Sequence, residues 1–594
     1  MPADRRAGRS DLAVGILVAT VVLGLSWLLS GVAGSAGLPR TDDWAFARVA
    51  LELHRAGTFH LVGWGEMTLV ALAAWAQPWL WAFGDHQWAL DLAAGALVGA
   101  GLVAAHLLAR RAVARAESVL VVASVALFPG FVRDASSFMT DGPAFGVQVL
   151  CLLTGVAALG RRGRSRTVLS WLAVAVGVFA FGIRELAVAA PLAVLAAEAA
   201  GPGRRAGSLA ARAGVLAGAC GAVWLWHRGL PGTQPWFGHP PLLTGAAYVV
   251  AAAITAALGL LPALAWSAPR WWHTPRPWAR AGGVAAGALL CGVMPWYAHD
   301  VHIGTVWFVG DYLGRFGMNG DKLLMGLRPA MLPAPLWTLL EVAAVGAFVL
   351  VCGLLGEAAT ALVGRRRPVP AGPDGVPGPG AHPPTTDGDD ERAVTLRALR
   401  WFALLTVGGL FVAVGLNGVL FDRYLWPLVF AGGVLLVALR HAPGGERVPV
   451  GTHDLSPARS DMRTAGAARV VSGGVLAGIG LVGLVLAANS DAFDAARWRV
   501  GTQLVAAGVP VDRVDAGFEW VGAHTGLTAD IHRADFSPGR SWWVSMFGLP
   551  SSCAVVAASP AAPRGYVETA RPAWHPELVL GTSHLVVYRL PGCR

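Results

Sequence analysis

Long apolar runs separated by short polar segments constrain the fold of this chain more than any other feature. A bilayer core about 30 Å thick needs roughly 20 apolar residues of helix, and a segment inside lipid must satisfy its own backbone hydrogen bonds. The sequence therefore predicts an all-α polytopic membrane protein with about 13 transmembrane helices. The thirteen runs lie near 12–36, 87–109, 117–131, 142–160, 167–183, 186–201, 208–226, 243–267, 281–297, 333–355, 397–418, 424–440 and 470–488.

The composition agrees with a membrane protein and argues against nucleic-acid binding. Charged residues make up 14% of the chain and hydrophobic residues 55%, whereas soluble domains carry roughly 25% charged residues. The net charge of +10 comes from arginines in short clusters between apolar runs. Such clusters form no continuous basic groove, so we expect no nucleic-acid partner.

The arginine clusters also predict the orientation of the chain. Positively charged short loops stay cytoplasmic, and alternate loops of this chain are arginine-rich, as at 110–115 and 161–166. The first run has a basic start, but its apolar core is longer than that of a signal peptide, which favours an anchor. We therefore expect a multi-pass plasma-membrane protein with a cytoplasmic N-terminus and an extracytoplasmic C-terminus.

The domain organisation follows from changes in composition. Residues 1–488 hold the apolar runs, and the Pro- and Gly-rich stretches 364–396 and 441–467 are predicted to be disordered cytoplasmic linkers. Residues 489–594 begin with a helical pattern and continue with short β-like runs, which predicts a small C-terminal extracytoplasmic α/β domain. Cys553 and Cys593 lie in that domain and would form a disulfide in an oxidising compartment.

Two adjacent acids, Asp42 and Asp43, follow the first run in the outer loop 37–86. The pattern at 44–56 predicts an amphipathic juxtamembrane helix, so one interpretation is that the acids cap it. One acid is enough for a cap, and a second adds repulsion that raises one carboxyl pKa, as a general base requires. The next outer loop presents the same two alternatives at Asp141. Either Thr140 or Asp141 itself caps the following helix, or Asp141 has a functional role.

Basic residues near the same predicted face are candidates for binding a phosphate. Arginine's planar fork suits phosphate oxygens. Arg423 in the FDRY stretch is the strongest candidate, with pairing to Asp422 as the alternative. For Arg184, the alternatives to phosphate binding are an ion pair with Glu185 or a position at the membrane interface. The remaining candidates are Arg133, Arg315, Arg328 and Lys322, the only lysine of the chain.

Taken together, these motifs resemble those of the GT-C fold glycosyltransferases. They are TDDW at 41–44, the acid of FMTD at Asp141, FDRYLWPLVF at 421–430, and an outer domain after the last run. The chain is most similar to the protein O-mannosyltransferase and aminoarabinose transferase-like group. This resemblance implies transfer of a sugar, with inversion, from a polyprenyl-phosphate donor to an acceptor hydroxyl at the outer face of the membrane.

The resemblance also implies roles for the acids. Asp42 matches the general base of the family and Asp141 the second-loop acid that helps to organise the site. Asp43 stands where the family often has glutamate, so its part in catalysis stays open. The acceptor, which is a protein, a glycan or a lipid, stays open as well.

The chemistry of such a donor agrees with these residue types. A sugar–phosphate lipid already carries a good leaving group, so one carboxylate that accepts the acceptor's proton is sufficient. We expect no cofactor and no protein metal site, although a divalent cation stays an alternative because His299, Asp300 and His302 lie close together in the loop 297–324. That loop is long and aromatic, as a lid or an acceptor groove would be.

Two other classes of function fit parts of the pattern. A lipid or sugar transporter or flippase would carry its charges along a path near the bilayer midplane. A non-catalytic cell-envelope assembly protein would use the outer domain for binding and the acids only as caps.

Overall fold

The fold is mostly α-helical, with a small sheet near the C-terminus. The computed structural model of the protein describes residues 2–65, 67–201, 206–233, 240–268, 277–294, 307–319, 324–326, 328–364, 387–417, 420–439, 457–537, 539–558, 563–575 and 582–593. The first twelve α-helices are α1 (Pro2–Ala33), α2 (Asp43–Ala56), α3 (Val70–Phe83), α4 (Gln87–Arg110), α5 (Arg115–Ala126), α6 (Phe131–Asp134), α7 (Asp141–Leu159), α8 (Gly163–Ile183), α9 (Ala189–Ala199), α10 (Ala206–Arg228), α11 (Leu242–Ser267) and α12 (Pro277–Leu290). They are followed by α13 (Ala334–Gly364), α14 (Asp387–Asn417), α15 (Trp426–Leu439), α16 (Pro457–Ala506), α17 (Phe518–His524) and α18 (Trp542–Met546).

Within the described residues, ten helices are long and apolar enough to cross a membrane by length and composition. This agrees with the predicted mostly-α membrane protein, but it does not confirm thirteen spans. The runs predicted at 117–131, 186–201 and 281–297 form α5, α9 and α12, which have 12, 11 and 14 residues. At about 1.5 Å per residue, such helices are shorter than a bilayer core.

The loop predicted at 37–86 contains two helices. The amphipathic pattern corresponds to α2, which ends where Gly57 takes a left-handed conformation, with φ of 68°. The second helix, α3, follows from Val70 and was missed, because its 14 residues are too few for a span and its apolar composition gives no amphipathic stripe.

Close packing of α4 against α7 helps to position Asp141. Helix α4 packs between α1 and α7. At the crossing with α7, a Cβ atom added to Gly101 would lie 2.1 Å from the Cα of Gly146, so only glycines permit this approach. This contact sets the position of α7 along α4, and α7 begins at Asp141.

Ion pairs lie at both ends of the helix bundle. At one end, charged residues at or just before the starts of α2, α7 and α15 lie close together. At the other end, Asp11 of α1 pairs with Arg110 and Arg115, at 3.2 and 2.7 Å. Which end faces the cytoplasm stays a prediction from the arginine pattern.

The C-terminal region begins without a break in the chain's last long helix. Helix α16 has 50 residues and continues through the boundary predicted at 488–489. The strands β1 (Val514–Asp515), β2 (Ala554–Ala557), β3 (Val567–Ala570) and β6 (Val586–Arg589) form a sheet in the order β1-β2-β6-β3. Strands β4 (Ala573–Trp574) and β5 (Ser583–His584) form a separate pair.

The two β-like runs of the sequence become neighbouring strands. Strands β2 and β6 pair antiparallel, with Val556 opposite Val587. A disulfide joins Cys553 to Cys593 beside this pair, with the Cα atoms 5.4 Å apart.

The predicted linkers are in part helical. Residues 387–396 form the start of α14, and residues 457–467 form the start of α16. These charged ends of the two stretches lack repeated Pro and Gly, and they continue into apolar helices. Residues 365–386 and 440–456 lie outside the described residues.

Candidate functional site

Three carboxylates from distant parts of the chain contact one guanidinium group. Arg423 Nη2 lies 2.9 Å from Asp42 Oδ2, and its Nε lies 3.2 Å from Asp141 Oδ2. Its Nη1 contacts Asp311. Asp141 Oδ1 also pairs with Arg184 Nη1, at 2.9 Å. We call these five residues the open cluster.

Four members of the open cluster lie at or next to the end of a helix. Asp42 immediately precedes α2, and Asp141 is the first residue of α7. Arg184 follows α8, and Arg423 lies in a 3-10 helix, Asp422–Leu425, just before α15. The four helices thus bring their charged ends to one face of the bundle.

The capping interpretation does not account for these acids. Asp42 occupies the N-cap position of α2, but its side chain makes no capping hydrogen bond. Its Oδ1 instead accepts the indole N–H of Trp64 at 2.9 Å. Both oxygens of Asp141 face arginines, and Thr140 Oγ1 accepts a hydrogen bond from Arg184 at 2.9 Å.

The adjacent Asp43 lies in a different environment. Its carboxylate is fully buried and accepts the backbone N–H of Arg40. Burial, together with repulsion from Asp91, raises the pKa of Asp43 well above its ordinary value. The pair at 42–43 therefore divides into one partly exposed acid, which contacts Arg423, and one buried acid, which contacts the backbone of Arg40.

Solvent access differs within the open cluster. The side chain of Asp42 is 16% exposed and that of Asp311 is 12% exposed, whereas that of Asp141 is only 2% exposed. Asp42 is therefore the carboxylate of the cluster that a substrate reaches most easily. Asp141 is held between two guanidinium groups behind it.

Aromatic rings surround the two arginines. The Arg184 guanidinium carbon lies 4.3 Å from the centroid of the Tyr424 ring, and that of Arg423 lies 4.6 Å from the Phe421 ring. Cation–π contacts of this kind hold a guanidinium in place without using its N–H donors.

Asp422, the alternative partner predicted for Arg423, contacts the backbone of another loop. Its carboxylate accepts the backbone N–H groups of Tyr312 and Leu313, at 2.9 and 2.5 Å. This contact holds the loop that carries Asp311 against the start of α15.

A further acid lies behind the open cluster. Asp134 accepts the backbone N–H of Gly142 at 2.8 Å and the hydroxyl of Tyr312 at 3.2 Å. Burial, and next to it repulsion from Asp141, raises the pKa of Asp134 to about 7. A buried carboxyl with a raised pKa therefore lies directly behind the open cluster.

A second group of charges lies beside the open cluster and has no comparable access to solvent. Arg133 pairs with Asp491 at 3.2 Å and contacts Asp494. Asp494 pairs with Arg497 at 2.9 Å, and Arg497 pairs with Glu519 at 2.8 Å. No side chain of these five is more than 4% exposed, and we call them the sealed cluster.

The two clusters are joined on both sides. Asn319 accepts a hydrogen bond from Arg133 at 2.7 Å and donates one to Asp311 at 3.1 Å. On the other side, Glu519 accepts the backbone N–H of Thr41 at 3.1 Å. Thr41 has a φ of 56°, which is strained for a β-branched residue. The sealed cluster therefore fixes the backbone next to Asp42.

The other predicted phosphate-binding residues do not contact the acids of the open cluster within the part of the chain described. Arg133 belongs to the sealed cluster. Arg328 lies over the ring of Phe493, 3.7 Å from its centroid, and donates to the Met318 carbonyl at 2.8 Å. Arg315 donates to the carbonyl of Leu332 at 3.3 Å. Lys322, together with His299, Asp300 and His302, lies outside the described residues.

Sequence reasoning noted Asp134 beside Arg133 but gave it no role, and it missed several other residues of both clusters and their surroundings, namely Trp64, Asp311, Tyr312, Asn319, Asp491, Asp494, Arg497 and Glu519. Asp311 and Asn319 lie in the loop predicted as a lid, so a search for acids in that loop would have found Asp311. The pairs of Arg133 span 358 and 361 residues, and no local pattern signals such a contact.

No metal-binding arrangement of three or more His, Cys, Asp or Glu side chains occurs among the described residues. No family model, no curated protein and no solved structure matches the chain. The functional assignment of this chain therefore depends on the geometry of its charged clusters.

Proposed function

We propose that this protein is a membrane glycosyltransferase of GT-C-like architecture, which transfers a sugar from a polyprenyl-phosphate donor to an acceptor hydroxyl. The observation that carries the proposal is the open cluster. A partly exposed carboxylate, Asp42, meets a buried acid and two arginines at the ends of apolar helices. That is where a lipid-linked anion and an acceptor hydroxyl outside the membrane would meet.

The charges of the open cluster indicate how a donor would enter. Three carboxylates against two guanidinium groups leave a formal charge of −1, which repels a phosphate. A donor phosphate must therefore replace a carboxylate on Arg423. Asp42 and Asp311 are the more exposed partners, so they are the ones that give way.

Displacement from Arg423 would prepare Asp42 to act as a base. The hydrogen bond from Trp64 keeps the carboxylate in place at 2.9 Å, and the oxygen released from Arg423 can then accept the proton of the acceptor hydroxyl. Donor binding and activation of the base are then one event.

The reaction that would follow donor binding balances without a cofactor. The acceptor oxygen bonds to the anomeric carbon and gives its proton to Asp42. The bond from that carbon to the phosphate oxygen breaks, and its electron pair leaves with the polyprenyl phosphate. Arg423, supported by Arg184 through Asp141, stabilises the charge on the departing phosphate. Attack opposite the leaving group inverts the anomeric centre.

The test uses the purified full-length protein in lipid nanodiscs. It is incubated with polyprenyl-phosphate sugars that carry a radiolabel in the sugar, together with an envelope extract of its own host. We expect the release of polyprenyl phosphate and the appearance of label in the acceptor fraction for at least one donor. Asp42→Asn should abolish both, and the matched control Asp43→Asn should retain them, because Asp43 lies away from Arg423.

Two results would overturn the proposal. One is equal transfer by wild-type protein and the Asp42→Asn variant. The other is movement of a labelled lipid between the leaflets of proteoliposomes with no sugar transfer from any donor, which would favour a transporter.

A further inference from the structure

A polar cavity lies at the end of the bundle remote from the open cluster. It has a volume of about 350 Å³ and lies between the start of α8, the end of α9 and the start of α10, lined among others by Arg162, Arg166, Ser170, Trp171 and Arg212. Helix α8 runs from this cavity to Arg184, and its 21 residues span roughly 30 Å. The cavity and the open cluster are therefore about one bilayer core apart.

A buried ion-pair network forms the floor of the cavity. The carboxylate of Glu198 lies 2.8 Å from Arg212 Nη1 and 3.0 Å from Arg166 Nη2. Arg212 and Glu198 are both more than nine-tenths buried. Three lining arginines and one glutamate leave a formal charge of +2 in a concave site. That excess attracts an anion, and the fixed floor holds two guanidinium groups in place to receive it.

An apolar helix face lies next to the cavity. Val168, Trp171 and Leu172 of α8 are exposed, although they belong to a helix that is apolar enough to cross a membrane. In a bilayer this face contacts acyl chains, and Trp171 belongs both to the face and to the cavity wall. Indole rings at such a position prefer the headgroup region.

We propose that this cavity binds the headgroup of an anionic phospholipid. Its phosphate would lie against Arg162, Arg166 and Arg212, with the hydroxyl of Ser170 near it, and its acyl chains would follow Val168 and Leu172. A lipid fits better than a free anion because the charged cavity continues into an exposed apolar face. Basic pockets between membrane helices select anionic headgroups in this way. The proposal does not depend on the proposed transferase activity.

The experiment measures lipid binding by native mass spectrometry of the delipidated full-length protein. The probes are dioleoylphosphatidylglycerol, dioleoylphosphatidylcholine and inorganic phosphate. We expect retention of phosphatidylglycerol over phosphatidylcholine. The Arg162→Gln/Arg166→Gln double variant should bind phosphatidylglycerol roughly tenfold more weakly.

The matched control is the Arg161→Gln/Arg164→Gln double variant. It removes the same charge from the same short stretch at the start of α8, but neither residue lines the cavity, so its affinity should equal that of the wild type. Where the first double variant does not fold, Arg162→Gln alone serves, because it leaves both ion pairs of Glu198 intact. Equal binding by the cavity variant and the control overturns the proposal. So does retention of inorganic phosphate that equals the retention of phosphatidylglycerol, since this indicates a free-anion site.

Discussion

The open and sealed clusters are built from the same residue types but differ in access. In the sealed cluster, Arg133 is held by Asp491 and Asp494, whose side chains are 1% and 4% exposed. In the open cluster, Arg423 is held by three carboxylates, and those of Asp42 and Asp311 are 16% and 12% exposed. Buried ion pairs are common structural features, so the charges alone do not identify a reactive site.

The two clusters differ in the solvent exposure of their carboxylates and in the parts of the chain that they join. The sealed cluster joins α16 and α17 to the loop before α2, and it ends on the strained backbone of Thr41. The open cluster begins one residue later, at Asp42. We infer that the sealed cluster is a structural frame, which holds the backbone next to Asp42. The open cluster is then the reactive part, where the proposed transfer takes place.

The largest effect expected is loss of transfer in Asp42→Asn. An amide cannot accept the acceptor's proton, and loss of a general base lowers a rate by roughly 10²–10⁴-fold. Arg423 keeps Asp141 and Asp311, so folding and donor binding should persist. Single-turnover transfer and equilibrium binding of the labelled donor, measured on the same nanodisc preparation, separate the two effects.

Asp494→Asn should mainly affect stability. It removes the carboxylate shared by Arg133 and Arg497, and breaking such a buried network costs about 3–5 kcal/mol. Thermal unfolding of the detergent-solubilised variant should begin at a clearly lower temperature than that of Asp42→Asn. If Asp42→Asn is the less stable of the two, the division into frame and reactive part is wrong.

Asp134→Asn should change how stability depends on pH. The folded pKa of Asp134 is about 7, above the ordinary value for an aspartate, so its stabilising contribution is complete below pH about 4 and is lost as pH rises through about 7. Asparagine keeps an acceptor for the Gly142 N–H and does not ionise. Relative to the wild type, the variant should therefore gain on the order of 2 kcal/mol between pH 5 and pH 8.

Unfolding temperatures of both proteins at several pH values between those limits provide the measurement. Parallel curves for the wild type and Asp134→Asn would mean that Asp134 does not exchange its proton in this range.

Glu519→Gln should give the smallest effect, and it tests whether the frame positions the base. Glutamine still offers a carbonyl oxygen to the Thr41 N–H, but it loses the ion pair with Arg497. A small displacement of Asp42 should lower kcat roughly tenfold with an unchanged KM for the donor. Loss of the ion pair with Arg497 also lowers stability, so kcat is expressed per folded molecule. An unchanged kcat per folded molecule would mean that Glu519 has a purely structural role.

Parts of the site followed from local sequence features. Asp42, Asp141, Arg184 and Arg423 each lie where an apolar run ends, and helices that cross one bilayer bring their ends to common faces. That rule placed the four residues at one predicted face, but it placed Arg133 there as well, which the structure pairs with Asp491 and Asp494 instead.

Other parts had no local signal. Asp311 lies in an irregular loop, and its place beside Arg423 depends on the backbone contacts of that loop with Asp422. The sealed cluster depends on the continuation of α16 past the end of its apolar stretch, which carries Asp491 and Asp494 on one helix. The count of thirteen spans stays a prediction, because three of the predicted runs form helices such as α5 and α9, which have 12 and 11 residues, and an apolar run does not by itself determine where its helix begins and ends.

The most direct test of the central claim, that Asp42 is the base in sugar transfer from a lipid donor, is lipid mass spectrometry of the protein's own host. Strains would carry the wild-type chain, a deletion, Asp42→Asn or Asp43→Asn. We expect one polyprenyl-phosphate sugar to accumulate equally in the deletion and Asp42→Asn strains and to stay at the wild-type level in Asp43→Asn. Wild-type donor levels in the Asp42→Asn strain, alongside accumulation in the deletion, would contradict it.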